Sequence, residues 1–245
     1  MRIAPLDARA EVRTPNTLSL YNVGDVYARQ AVSDEGDHSD WIALDPEVMR
    51  DVAELFDPAL GDARKVFAAG SAPASPALYL RQRELFDLLR DDPNVSTLEV
   101  EETVIALAEA ALGSALRFWP RSTRRRPRSI ARARGLAIVD ATRSILAREF
   151  ASPLGIRDIA RRVHCSPGYL SRLFRSTCGF SLHHYQQQLR LRAALGMLGD
   201  ARRDLSALAV QLGFANHSHF TSVFRRQFGM TPTQFAAGRR DRGGR

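Results

Sequence analysis

The sequence predicts a mainly α protein in which a small α+β domain precedes an all-α domain built from a duplicated helix-turn-helix. Three observations carry this prediction. Strand-like alternation is confined to the first part of the chain, roughly residues 17–45. Beyond Pro46, apolar residues recur at i, i+3, i+4 and i+7, the spacing of a helix with one buried face. The basic second half also repeats itself, at an offset of 49 to 50 residues.

In "TLSLYNVGDVYARQAVSDEGDHSDWIALDP", Leu18, Leu20 and Val26 fall in brief runs between Gly24, the Asp34–Asp37 cluster and Pro46, which reads as short strands joined by turns. Pro46 suits a first helical position and opens "PEVMRDVAELF". Ser75-Pro76 opens a second helix over about 76–90, with Leu78, Leu85, Phe86 and Leu89 along one side. Ser96 with Glu99 fits a capping box. The helix that follows, to about 118, aligns Val104, Leu107, Ala108, Ala111, Leu112, Ala115 and Leu116 in one stripe. Residues 76–118 therefore read as an antiparallel helix pair, serving as core, as a homodimer face, or as both. Residues 120–134, "PRSTRRRPRSIARAR", hold seven arginines and two prolines, the composition of an interdomain linker. The linker is either a solvated tether or a basic segment that touches phosphate.

In the last part, Ile156, Ile159, Ala160 and Val163 are matched 49 residues later by Leu205, Leu208, Ala209 and Leu212. Leu170, Phe174, Gly179 and Tyr185 are matched 50 residues later by Phe220, Phe224, Gly229 and Phe235. The offset grows by one between the helices, so the second copy has a longer turn. Ser166 is a natural N-cap with Pro167 behind it; Asn216 or Ser218 can cap the second copy. Each copy is thus a helix, a tight turn and a second helix, the arrangement whose second helix enters a DNA major groove. A helix over 182–198 joins the copies and spans about 26 Å, enough to hold two reading heads about one DNA turn apart.

Charge points the same way. Residues 1–119 carry a net −10 and residues 120–245 a net +18, and every basic residue in the second half is arginine. Such asymmetry joins an acidic domain to one that meets a polyanion. Three segments result: an acidic regulatory or dimerisation domain over 1–119, the Arg-rich linker over 120–134, and a double helix-turn-helix DNA-binding domain over 135–245.

At "IRDIARRVHCSPGYLSRLFRSTCGFSLHHY", "LRLRAALGML" and "LSALAVQLGFANHSHFTSVFRRQFGMTPTQF" the chain resembles the AraC-type bacterial transcription regulators. The likeness covers about 136–236, and Gly213-Phe214, Phe220, Phe224, Phe228-Gly229, Pro232 and Phe235 carry it. Ala236 departs from the pattern, since arginine usually follows that aromatic; one phosphate contact is then missing. More weakly, "LYNVGDVYARQAVSDEGDHSDWIALDPEVM" resembles the late strands of the cupin-like sensory domain of such regulators. Only 19 residues precede it, so a closed barrel is not expected from them; either the domain is shortened or the start lies inside a longer reading frame.

Position by position, the resemblance implies base reading at Gly168, Ser171 and Arg172, then at His217, Ser218, Thr221 and Ser222. Exclusion of the apolar stripe agrees, because Leu170, Leu173, Phe174, Phe220, Val223 and Phe224 point inward. Arg172 can grip guanine O6 and N7, or else contact phosphate. Thr221 can meet a thymine methyl. Ser166, Arg175, Arg225 and Arg226 are expected on phosphate. The resemblance implies a transcriptional activator whose partners are double-stranded DNA and RNA polymerase, with a small-molecule effector open. The rival reading is a regulator acting by protein contact, or a truncated antagonist that heterodimerises, with weak DNA specificity.

Other classes are disfavoured. Catalysis lacks a justified nucleophile–base constellation and a Gly-rich phosphate loop, so no enzyme and no cofactor are expected. Metal binding is not expected either: His217 and His219 lie two apart, on opposite sides of a helix, and His38 stands alone among acids. Cys165 and Cys178 read as semi-buried thiols outside any disulfide framework. No apolar run approaches a membrane span and no signal peptide opens the chain, so a cytoplasmic, nucleoid-associated protein is expected.

Overall fold

The computed structural model describes residues 2–5, 10–31, 39–61, 63, 65–91, 95–119, 130–198 and 204–243. Most of the predicted linker, residues 120–129, lies outside them. The chain divides into two compact units: residues 1–78 with 96–136, and residues 79–95 with 137–245.

The first unit begins with short strands. β1 (Arg2–Pro5) pairs antiparallel with β2 (Glu11–Val12) and with β4 (Tyr27–Gln30), giving the order β2-β1-β4. β3 (Thr17–Ser19) pairs with β5 (Ser71–Pro73) in a second sheet. Among the described residues these are two separate small sheets, not one closed barrel. β1 and β5 escape prediction because runs of three or four residues are too short for period-2 alternation to register. The turn before β4 is held by Asp25, which accepts from the Asn22 backbone at 2.8 Å and from Lys65 Nζ at 2.6 Å.

α1 (Pro46–Glu54) starts where Pro46 indicated, with the Asp45 carboxylate accepting from the Glu47 N–H at 2.7 Å. The short α2 (Pro58–Gly61) follows. α3 (Pro76–Asp91) opens with Ser75 Oγ accepting from the Leu78 N–H. α4 (Thr97–Phe118) buries Leu107, Ala108, Leu112 and Ala115. Leu112 joins Val52, Ala53 and Leu60 in one core, while Ala115 meets Leu20 and Ala72 in another. Ser96 occupies the N-cap but makes no side-chain cap bond, so the expected box with Glu99 is not closed.

α3 and α4 do not form the expected pair within one unit. From Tyr79 onward α3 belongs with the second unit, whereas α4 belongs with the first. The apolar stripe on α3 correctly indicated a buried face, with Leu78 and Leu85 buried, although Leu89 is exposed. A stripe does not say which surface covers it. Tyr79 and Leu80 pack against the core of the second unit, and the Tyr79 ring lies 4.8 Å from the buried Arg192 guanidinium.

The second unit is all α. α5 (Ile130–Arg148), which belongs to it from Ala137 onward, leads into α6 (Ile156–Arg162) and α7 (Pro167–Cys178). α8 (Leu182–Met197) connects to α9 (Leu205–Gln211) and α10 (His217–Phe228), and α11 (Pro232–Gly243) closes the unit. Two cores mirror the repeat: one around Leu170 and Phe174, the other around Phe220 and Phe224, all four fully buried. Burying one such side chain is worth about 1.5–3 kcal/mol. Ile156, placed on the buried stripe from its spacing, is instead 39% exposed at the first position of α6. No described helix is long and apolar enough to cross a membrane.

Candidate nucleic-acid interface

Each recognition helix is started and stopped by its own residues. Ser166 Oγ accepts from the Tyr169 N–H at 3.3 Å, Pro167 follows, and Gly179 ends α7 at φ 77°. Asn216 Oδ1 accepts from the His219 N–H at 2.8 Å, and Gly229 ends α10 at φ 77°. Of the two caps the sequence allowed, Asn216 is the one used; Ser218 is left exposed in the first turn. Both helix starts present backbone N–H groups and a partial positive charge, a setting suited to phosphate.

The turns differ in a telling way. The corresponding positions of the two turns are His164 and Gly213, and both take positive φ, 54° and 81°. A Cβ on Gly213 would sit 2.1 Å from the Ala151 carbonyl oxygen, so only glycine fits.

On α7, Ser166, Gly168, Ser171, Arg172 and Arg175 are all exposed, while Leu170 and Phe174 are buried. Gly168 offers no side-chain donor, so it can meet DNA only through its main chain and Cα. A Cβ there would lie 3.7 Å from Arg172 Nη1, which shows the guanidinium lying back toward the start of the helix. Arg161 and Arg162 on α6 are ion-paired to Asp158 and Glu149. The Arg162 hydrogen bonds hold the Glu149 carboxyl below its usual pKa.

On α10, Ser218, Ser222, Arg225 and Arg226 are exposed, and His217 and Thr221 are half-buried. His217 Nε2 lies 3.4 Å from Thr221 Oγ1, so these two expected readers are neighbours on one face. His219 packs edge-on to Phe214 at 5.7 Å. Its counterpart 50 residues earlier is Tyr169, 41% exposed at the start of α7. Sequence reasoning passed over that phenol; the repeat offset was the signal that could have found it. Among the described residues no cluster of three His, Cys, Asp or Glu side chains could hold a metal.

Residues 159–238 match a family model described as a helix-turn-helix domain. The C-terminal domain is an AraC-type helix-turn-helix domain. The Msm operon regulatory protein of Streptococcus mutans is 26% identical over 40% of this chain and 36% of its own length. The bifunctional transcriptional activator/DNA repair enzyme AdaA of Bacillus subtilis is 30% identical over 40% of this chain and 46% of its own. A solved AraC-type DNA-binding regulator from Chromobacterium violaceum is 29% identical, covers 44% of this chain and 96% of its own, and superposes with a TM-score of 0.41. The chain thus spans less than half the length of the curated relatives named. The AraC-type domain contains both recognition helices, and its match includes every expected site residue from Ser166 to Arg226.

Proposed function

We propose that this chain is a sequence-specific DNA-binding transcription regulator that lays α7 and α10 into successive major grooves. The observation that carries the reading is the duplicated arrangement of capped helices with apolar backs buried and polar fronts exposed or half-buried. On α7 that front is Ser171 and Arg172 with Arg175 behind; on α10 it is His217, Ser218, Thr221 and Ser222 with Arg225 and Arg226 behind. Arg172 is the guanine-reading fork, and Thr221 presents a methyl for thymine. Ser166 caps α7 through its oxygen, which leaves its proton to donate to phosphate. Arg175, Arg225 and Arg226 supply further phosphate contacts that position the protein without reading sequence.

The regulator is read as an activator that contacts RNA polymerase, supported by the resemblance and by the name of AdaA. The acidic N-terminal part is read as the regulatory or dimerising portion, open to an effector. No enzymatic role is assigned to the chain. The deciding experiment is selection of duplexes from a randomised pool by the purified full chain, followed by footprinting. A motif of two boxes about one helical turn apart is expected. Binding that is only nonspecific and steeply salt-dependent would overturn the reading in favour of a protein-contact regulator.

A further inference from the structure

One arginine on α8 reaches both helix-turn-helix units. Arg190 Nε donates to the Phe150 carbonyl at 2.7 Å, and Nη2 donates to the Ser152 carbonyl at 3.1 Å. Those carbonyls lie in the turn between α5 and α6, at the entry to the first helix-turn-helix. The remaining nitrogen, Nη1, donates to the Gly213 carbonyl at 2.6 Å, in the turn of the second helix-turn-helix. Gln186, one helical turn earlier, adds Nε2 bonds to the same Phe150 and Ser152 carbonyls at 3.0 and 2.9 Å.

Two further observations mark the same joint. Phe150 packs against both cores, the one around Phe174 and the one around Phe224. Gly213 brings its backbone so close to Ala151 that no side chain fits between them. A guanidinium stays charged under such burial, so its three bonds are charge-assisted and roughly twice as strong as neutral ones.

We propose that Arg190, with Gln186, Phe150 and Gly213, is a bracket that fixes the two recognition helices relative to each other, so that the protein demands one separation between its two DNA boxes. The proposal rests on the reading of α7 and α10 as DNA-contacting helices. Its physical reason is attachment number. Two units joined only by the ends of α8 can tilt about either end. A second attachment on the flank of α8 removes that freedom, and a rigid pair gains from its second box only where the geometry matches.

The test uses the full chain and the two-box duplex enriched by wild-type protein. Derivatives have base pairs inserted or removed between the boxes, and one duplex has a single box scrambled. Wild type is expected to lose about tenfold or more in affinity when the separation changes. Arg190→Met is expected to bind the single-box duplex as wild type does, while its affinity across the spacing series becomes nearly flat. An unchanged spacing profile overturns the bracket. If Arg190→Met loses single-box binding, Gln186→Leu decides: a flatter profile supports the bracket, and a wild-type profile overturns it. Failure of wild type to enrich any two-box motif strikes the proposed function, a separate outcome.

Discussion

At the scale of single residues, chemistry separates reading from holding. Arg172 is exposed on α7 and lies back toward its N-terminus, where a major-groove edge would be met. Arg172→Ala is expected to cost about 1–3 kcal/mol on the selected operator and to relax one base position. Competition binding against random DNA checks this, and equal weakening on both would assign Arg172 to phosphate. His184 illustrates the other role. It is half-buried, stacks on Phe180 at 5.1 Å and lies 3.4 Å from Gln188. Burial lowers its pKa from the usual 6.5, helped by the charges of His183, Arg226 and Arg192. The unfolded chain therefore takes up this proton first. Stability contributed by neutral His184 is present above the unfolded value and falls as pH drops through it. Denaturant unfolding between about pH 5 and 8 should show that loss, and His184→Gln should flatten it.

At the scale of elements, the repeat lets one copy act as control for the other. Both turns need a left-handed residue, and the first copy spends a histidine there while the second uses glycine. Gly213→Ala combines an unfavourable φ with a carbonyl contact at 2.1 Å and is expected to cost at least about 2 kcal/mol. His164→Gly, at an exposed position without that contact, is expected to stabilise by up to about 1 kcal/mol. Thermal or urea melts of the two variants read both signs. The helices, their starts at Pro46, Pro76 and Pro167, and the inward residues of α7 and α10 were legible because periodicity and capping are local. The unformed box at Ser96 and the exposure of Ile156 were not legible. Each depends on what surrounds a helix end, which a spacing rule does not contain.

At the scale of the molecule, the unexpected feature is the attachment of α3. Arg192 on α8 is 3% exposed, and its pKa is brought down to about 10 by burial. Tyr79 lies over that guanidinium, and Leu80 packs against the core around Phe224. A desolvated cation–π contact is worth about 2 kcal/mol. Tyr79→Ala should therefore lower stability by at least that order and speed amide exchange in α8 and α10 of the full chain. Unchanged protection there would show that α3 contributes nothing to the reading unit. A segment that composition assigned to the acidic half is thus part of the structure that carries the recognition helices.

The sequence by itself determined the duplicated helix-turn-helix, the caps that start its helices, the division of charge, and which side chains of α7 and α10 face outward. These follow from spacing along one chain, where neighbours three or four residues apart share a face whatever the rest of the protein does. Only the tertiary structure decided that Asn216 is the cap, that α3 packs with the second unit, that the short strands form two sheets, and that Arg190 ties the α5–α6 turn to the turn before α10. Those are meetings between segments tens of residues apart. They depend on shape and on which carbonyls are left without partners, and neither is written in local periodicity.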